Sequence, residues 1–219
     1  MSEVRASENK QEVVETLLQR EEVLCKIEKL YGFTSVTSHE LTFLNPGRRF
    51  KEIWLIKISD GERTEELVVK FYKRNSPKRW NREIRPRTIP SIAEHGPAFI
   101  AAESNNSKSA TNHRFIKGDY LVFIEEYVQG KTLLELAEEE PDDALIYAEI
   151  AETKYRVLAE LMRAEIGRVL SNVNPSNIVF PSSGRDEPKV VDWGGQTERD
   201  DPQWYEKLID QRILAPVMR

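Results

Sequence analysis

The chain contains few of the residues that form disulfides or bind metal ions. It has one cysteine, Cys25, and three scattered histidines, His39, His95 and His113. A single cysteine cannot form an internal disulfide, and histidines at these spacings do not give the ligand pattern of a zinc site. The sequence therefore predicts a protein without disulfides or zinc, as is typical of the reducing cytoplasm.

Long apolar runs are also missing. Nowhere do about 18 consecutive apolar residues occur, as a membrane-spanning helix would require, and the first ten residues are mostly polar or charged. The sequence thus predicts neither a signal peptide nor contact with a membrane. Hydrophobic residues make up 39% of the chain and charged residues 32%, which is typical of a water-soluble protein with a buried core.

The net charge of -5 is distributed unevenly along the chain. The stretch 70–87 carries eight basic residues and one acidic residue, Glu83, whereas acidic residues crowd the stretch 135–152. Such segregation predicts a molecular dipole, and it leaves open the binding of a polyanion by the basic stretch.

The hydrophobic pattern of the first half predicts a helix followed by an antiparallel meander. Apolar residues at helical spacing predict one helix from Glu8 to Tyr31, with Gly32 at its C-terminus. Strand-like runs separated by turn residues then follow at 38–44, 52–59 and 65–72.

The second half is predicted to be richer in helix. A strand at 120–127 precedes a long helix at 142–166, two short strands at 178–180 and 189–191, and a last helix at 201–214. This order predicts an α+β protein. We expect three regions, namely an N-terminal helix (1–32), a sheet-rich lobe (33–129) and a minimal helical lobe (130–219).

Three polar residues stand at the ends of predicted elements. Lys70 ends a strand, where its ammonium group can attract phosphate oxygens. Asn177 lies in a polar turn before a short strand, and Asp192 leaves a short apolar strand before two glycines. Carboxylate and amide oxygens are hard ligands that suit Mg²⁺. Taken singly, each residue is more typical of an ordinary solvated strand end or turn than of a functional site.

The order of these residues resembles the signature set of the protein-kinase-like superfamily. The lysine strand is followed by the run Glu125-Glu126-Tyr127-Val128-Gln-Gly-Lys-Thr-Leu, the long helix, the asparagine turn and the turn Asp192-Trp-Gly. Within this superfamily, the run from Glu126 to Leu133 and the Asp192-Trp-Gly turn look more like aminoglycoside and choline phosphotransferases, or small atypical kinases, than typical protein kinases. The resemblance covers roughly residues 37–214 and implies a two-lobed fold with an antiparallel N-terminal sheet and a truncated helical C-terminal lobe.

The resemblance implies a role for each matching residue. Lys70 would contact the α- and β-phosphates of ATP, and Glu83 would orient that lysine. Asn177 and Asp192 would be the two magnesium ligands. Adenine would meet the backbone of a hinge made by Glu125, Glu126, Tyr127 and Val128. The implied cofactors are ATP and Mg²⁺.

The sequence also departs from the family pattern. Asn172 occupies the position of the catalytic aspartate, and an amide cannot act as a general base, whose contribution is typically about 10² to 10⁴ in rate. The phosphate-covering loop offers one glycine, and Arg48 and Arg49 are expected to substitute for the others electrostatically. Pro86 and Pro90 are expected to interrupt the helix after Glu83.

Three functions remain open at this point. The first is a nucleotide-binding pseudokinase that regulates or scaffolds a protein partner. The second is a slow atypical phosphotransferase acting on a small molecule or a protein. The third is a protein that binds nucleic acid or another polyanion through the stretch 70–87, in which Trp80 is interleaved with the basic residues.

Overall fold

The structure is a computed structural model that describes residues 2–45, 51–73, 77–103, 120–198 and 201–217. Contacts between Cα atoms divide the chain into two units. The first, here called the sheet unit, comprises Met1–Trp80 and Phe99–Tyr127. The second, the helical unit, comprises Asn81–Ala98 and Val128–Arg219. The segment 81–98 is thus grouped with the second half of the chain.

The sheet unit consists of two helices and one antiparallel sheet in the order β1-β2-β3-β5-β4. The helices are α1 (Ser2–Leu18) and α2 (Glu21–Tyr31). The strands are β1 (Thr37–Asn45), β2 (Lys51–Ser59), β3 (Thr64–Lys73), β4 (Phe99–Glu103) and β5 (Tyr120–Glu126). The predictions for β1, β2, β3 and β5 are confirmed to within one or two residues at each end.

Side chains on β3 alternate between two faces of this sheet, as the period of a strand requires. Leu67, Val69 and Phe71 are fully buried in one core, which also contains residues of both helices. Val68, Lys70 and Tyr72 alternate with them and therefore point to the opposite face. The helices thus cover the apolar face, and Lys70 lies on the other one.

The single helix predicted from Glu8 to Tyr31 is wrong, because Arg20 breaks it into α1 and α2. Arg20 is extended, with φ -74° and ψ 138°, and its guanidinium group donates to both carboxylate oxygens of Glu103 at 2.8 and 2.7 Å. The break allows Leu17 and Ile27, from different helices, to be buried in the same core. The predicted end at Gly32 is confirmed, since Gly32 adopts the left-handed conformation with φ 75°.

The helical unit contains most of the remaining helices and two small sheets. In chain order, its elements are α3 (Pro77–Arg87, which belongs to this unit from Asn81 onward), α4 (Pro90–Ala93), β6 (Gly130–Thr132), α5 (Leu133–Glu139), α6 (Ala144–Ile166), β7 (Val169–Leu170), β8 (Ile178–Pro181), β9 (Lys189–Val190), β10 (Gln196–Thr197), α7 (Pro202–Ile209) and α8 (Ala215–Val217). A 3-10 turn covers Pro175–Asn177, and a π-helical turn, Asp210–Leu214, joins α7 to α8. The sheets are β6-β8-β9 and β7-β10, both antiparallel.

Helix α6 is the centre of the core of this unit. Its buried face combines small residues with large ones, namely Ala148, Ala151, Tyr155, Leu158, Ala159 and Met162. The helix ends at Gly167, which is left-handed with φ 66°, as the sequence predicted.

Pro86 does not interrupt the helix as early as expected. Helix α3 continues through Pro86 to Arg87, one residue further. A proline this close to a helix end removes one hydrogen bond from the last turn only, so the helix tolerates it. Pro90 stands at the first position of α4, where proline is favoured because its missing N–H would have no partner in the helix.

These elements confirm a mixed α+β protein with an antiparallel sheet. Within the five described ranges, no helix is both long enough and apolar enough to cross a lipid bilayer.

The packing of α1 on the sheet predicts that Leu17→Ala destabilises the protein. Leu17 is 1% exposed, and truncation of a buried leucine costs about 2 to 5 kcal/mol of the free energy of unfolding. The measurement is denaturant unfolding followed by circular dichroism. Glu12→Ala, at an exposed position of the same helix, is the control and should change stability by less than about 0.5 kcal/mol. Equal effects of the two substitutions would contradict this packing.

Candidate functional site

A buried ion pair lies on the helix-free face of the sheet unit. Lys70 on β3 is 3% exposed and Glu125 on β5 is 2% exposed, and Lys70 Nζ lies 2.6 Å from Glu125 Oε1. Lys70 is directly opposite Phe123 in the strand register, and its ammonium group lies 5.5 Å from the centre of that ring. The ring of Phe123 in turn stacks on Phe99, with centroids 5.5 Å apart. The ammonium group is therefore fixed by a carboxylate and an aromatic face.

The predicted hinge residues have different environments. Glu125 was expected to act through its backbone, but its side chain is the charged partner of Lys70. Glu126 ends β5, and the backbone N–H of Tyr127 donates to the carbonyl of Glu66 at 3.2 Å, while the Tyr127 side chain is 39% exposed. Val128 is the first residue of the second segment of the helical unit.

In the helical unit, the structure brings together Asn172, Asn177 and Asp192. The side-chain amide of Asn172 donates to Asp192 Oδ2 at 3.1 Å. The side-chain amide of Asn177 donates to the backbone carbonyl of Asn172 at 3.2 Å. The backbone N–H of Gly194 donates to Asp192 Oδ1 at 3.2 Å. Three residues that the sequence predicted to act together thus form one polar cluster, here called the Asn-Asp cluster.

Backbone hydrogen bonds hold the two turns of the Asn-Asp cluster in place. The N–H of Val191 donates to the carbonyl of Asn177 at 2.9 Å, and the N–H of Ser171 donates to the carbonyl of Gly195 at 2.8 Å. The pairing of β7 with β10 continues this contact on one side, and that of β8 with β9 on the other. The positions of the side chains are therefore set by paired backbone rather than by a loop.

Gly195 allows the two turns to approach closely. A Cβ atom at this position would lie 2.5 Å from the Cβ of Asn172 and 3.2 Å from its backbone nitrogen. Atoms of a folded protein do not approach so closely, so any larger residue would push Asn172 away from Asp192.

Trp193 anchors the aspartate turn in the core. Its ring is fully buried, and its indole N–H donates to the carbonyl of Val190. Gly96 lies against this ring, since a Cβ there would be 2.6 Å from the indole. The Arg87 guanidinium lies 4.8 Å from the ring centre. Sequence reasoning missed these contacts, although a tryptophan directly after Asp192 was a signal that the turn is anchored.

Glu83 is buried in α3, and its carboxylate oxygen Oε1 lies 3.8 Å from the Arg87 guanidinium. Arg87 also donates to the backbone carbonyl of Glu83 at 2.9 Å. The role expected for Glu83, the orientation of Lys70, stays a prediction.

The donor set of the Asn-Asp cluster fits a magnesium ion. Mg²⁺ prefers oxygen ligands and is commonly held by one or two carboxylates together with phosphate oxygens and water. Asp192 supplies a carboxylate, and Asn177 donates through its nitrogen to Asn172, which leaves its amide oxygen as the ligand atom. Within the described ranges, no group of three His, Cys, Asp or Glu side chains is placed to hold a metal ion by itself. A magnesium ion held by Asp192 and Asn177 would therefore need further oxygen ligands.

Tyr155 lies beneath the Asn-Asp cluster. It is fully buried and donates through its hydroxyl to the carbonyl of Asn174 at 3.3 Å. Burial raises the pKa of this phenol far above its ordinary value, and the nearby charge of Asp192 raises it further. Tyr155 therefore stays protonated and acts as a neutral hydrogen-bond donor.

Two of the basic residues in the stretch 70–87 are buried. Lys70 and Arg87 are each 3% exposed and are paired with glutamates. They do not contribute to a basic surface. The predicted residues Arg48 and Arg49 lie outside the described residues, and so does the side chain of Trp80.

Comparison of the chain with protein-family models and with curated proteins finds no match.

The close approach at Gly195 predicts that Gly195→Ala destabilises the protein. The added methyl group overlaps with Asn172, and overpacking of this kind costs about 1 to 3 kcal/mol. The matched control is Gly184→Ala, because no atom lies within 4 Å of a Cβ at Gly184. Thermal unfolding of both variants is the measurement. A Gly195→Ala variant as stable as Gly184→Ala would show that the turns are further apart.

The hydrogen bond between Asn172 and Asp192 predicts a pH-dependent loss of stability in Asn172→Asp. This substitution replaces the amide donor with a second carboxyl group at about the same distance from Asp192. Two carboxylates so close cannot both ionise easily, so the pKa of one of them rises in the folded state. In the unfolded chain, both titrate near the ordinary pKa of about 3.9.

Above about pH 4, the folded variant therefore binds more protons than its unfolded chain. Its free energy of unfolding falls as the pH rises from there to the raised pKa of the carboxyl pair. Each unit of pKa increase corresponds to about 1.4 kcal/mol. We expect Asn172→Asp to be much less stable relative to the natural protein at pH 8 than at pH 4. Asn172→Ala is the control, and its loss of stability should differ less between the two pH values, because it introduces no second carboxyl group. A loss independent of pH in Asn172→Asp would mean that the two side chains do not meet.

Proposed function

We propose that the chain is a kinase-like protein that binds ATP together with Mg²⁺ and has lost efficient phosphotransfer. In this proposal, the sheet unit and the helical unit are the two lobes of a kinase-like fold, the second of them truncated. The protein acts as a regulatory or scaffolding module for a protein partner.

The observation that carries the proposal is the Asn-Asp cluster. Asn172 and Asn177 come from one turn, and Asp192 comes from another, 20 residues after Asn172. A hydrogen bond of 3.1 Å from Asn172 to Asp192 joins the two turns, and one of 3.2 Å joins Asn177 to Asn172 within the first. Nothing in the local sequence of an Asn-Pro-Ser turn or of an Asp-Trp-Gly turn requires the two turns to contact each other. Their pairing supports a common task, and the ligand chemistry of an amide and a carboxylate favours a hard cation that is delivered with phosphate oxygens.

Lys70 supplies the second part of the proposal. A buried ammonium group is costly unless it is paired, and Glu125 provides the partner at 2.6 Å. On β3, Lys70 stands between two apolar residues, Val69 and Phe71. A phosphate would be a second anion for the same ammonium group, and the rigid strand would hold the group in position for it.

Apolar residues near Lys70 on the same face of the sheet can contact the adenine ring. Val68 precedes Lys70 by two residues on its face of the sheet, and Leu55 is directly opposite Val68 on β2. Both side chains are partly buried. We propose that they contact the adenine ring, while the backbone of residues 125–128 provides its hydrogen bonds.

Asn172 is the reason to propose weak or absent catalysis. Its amide nitrogen donates to Asp192, and an amide has no basic atom that could accept a proton from a substrate hydroxyl group. In the natural protein, this side chain orients the aspartate. We therefore assign Asn172 a positioning role.

The proposal predicts that ATP binds and that the binding requires Mg²⁺ and Asp192. At a ligand concentration of 100 times the dissociation constant, ATP with Mg²⁺ should stabilise the protein by about 2.7 kcal/mol, or roughly 5 to 11 °C in melting temperature for a chain of this size. The measurements are calorimetric titration and thermal unfolding, each with Mg²⁺ and with a chelator. Asp192→Asn preserves the shape of the side chain and should abolish the effect of Mg²⁺.

The control for this experiment is Asp210→Asn, which makes the same substitution at an exposed position of the helical unit. It should leave binding unchanged. No stabilisation of the natural protein by ATP, with or without Mg²⁺, would overturn the proposal. Transfer of radiolabelled phosphate to a substrate that is lost in Asp192→Asn would establish the phosphotransferase instead.

A further inference from the structure

A groove on the outer face of α6 lies apart from the Asn-Asp cluster and serves no role in the proposed function. It has a volume of about 450 Å³. The helix contributes Ile146, Ile150, Lys154 and Val157 to its wall, and the residues after α4 contribute His95. All of these residues belong to the helical unit.

The apolar part of the groove is open to solvent. Ile146 is 55% exposed and Val157 is 40% exposed, although both are large aliphatic residues. They are eleven positions apart on one helix face, which corresponds to about 16 Å. A site for a small molecule normally encloses most of its ligand. An open groove of this length is better suited to a short extended peptide.

The inner part of the groove carries an unpaired cation. Lys154 is half buried, and no described residue forms a hydrogen bond or an ion pair with its ammonium group. Burial lowers the pKa of Lys154, and the neighbouring positive charge of Lys189 lowers it further. The Lys189 ammonium group donates to the backbone carbonyl of Glu94 at 2.7 Å, so it stays close to the groove.

His95 also lines this groove. Its Nδ1 is buried and has no hydrogen-bond partner within the described residues. Burial lowers the pKa of His95, and so does the charge of Lys154, which favours the neutral ring. The Nδ1 atom is shielded from solvent, and the other ring nitrogen, Nε2, lies 3.8 Å from Glu94 Oε1. Lys154 is therefore the charged donor that this groove offers to a ligand.

Acidic residues also surround the groove, but they are exposed. Glu149 and Asp186 line its rim, and Glu94 and Glu187 stand close enough to influence the charges of His95 and Lys154. Exposed charges are screened by water and salt, whereas a half-buried cation is screened much less. The charge of Lys154 is therefore screened less than the charges of the carboxylates around it.

We propose that this groove binds a short extended segment of a partner protein in which an acidic side chain is flanked by aliphatic residues. The carboxylate of that side chain pairs with the ammonium group of Lys154. The aliphatic residues cover Ile146 and Val157. This site is separate from nucleotide binding, so the two proposals can fail independently.

The test uses three capped tetrapeptides, Leu-Glu-Leu-Leu, Leu-Gln-Leu-Leu and Leu-Lys-Leu-Leu, titrated into the isotope-labelled full chain. Chemical shifts of the backbone amides are the measurement. We expect the glutamate peptide to shift the amides of residues 146–157 and to bind at least about tenfold more tightly than the glutamine peptide. Comparison of peptides on the natural protein does not depend on the folding of any variant.

Lys154→Met should abolish the preference for glutamate over glutamine, because methionine keeps an aliphatic stem and removes the charge. Lys207→Met, at an exposed position of α7, is the matched control and should retain the preference. Equal binding of the glutamate and glutamine peptides would overturn the proposal. Preferred binding of the lysine peptide, or no shift with any peptide at millimolar concentration, would overturn it as well.

Discussion

The hydrogen bond from the Asn172 amide to the Asp192 carboxylate is the interaction on which the polar chemistry of the helical unit depends. It joins two turns that are paired through the backbone on both sides, at Val191 and at Ser171. The bond requires an uncharged donor at position 172. Under the proposed function, the side chain that aligns Asp192 stands where the family pattern has a proton acceptor, and an amide cannot serve as one.

The sheet unit contains a second buried polar feature, the ion pair of Lys70 and Glu125. Its central strand carries a lysine that is almost completely buried, and the cost is offset by a carboxylate on the adjacent strand and by an aromatic ring. Replacement of such a pair by apolar residues is often neutral or stabilising in proteins. The stability of the sheet therefore gives no reason of its own for the pair of Lys70 and Glu125, in agreement with the proposal that Lys70 binds phosphate.

Sequence reasoning predicted the regular elements more successfully than their contacts. Strands β1 to β3 follow from runs of β-forming residues bounded by turns, and the ends of α2 and α6 follow from glycines that adopt left-handed conformations. The break at Arg20 could not be predicted, because it depends on a guanidinium contact with Glu103, 83 positions away. The order of Asn172, Asn177 and Asp192 along the chain indicated a common site, but not which atoms would meet. The pairing of Lys70 with Glu125 requires the register between two strands that are not consecutive, and no local pattern contains that information.

The contact between Gly96 and Trp193 has a consequence for how this chain can change over time. The indole occupies the space that a side chain at position 96 would need, at 2.6 Å from its first atom. A larger residue at 96 is therefore acceptable only after the tryptophan has become smaller, and a smaller residue at 193 leaves a void that a larger residue at 96 can fill. Substitutions at positions 96 and 193 are therefore coupled. Relatives of this chain should either keep both Gly96 and Trp193 or replace both residues.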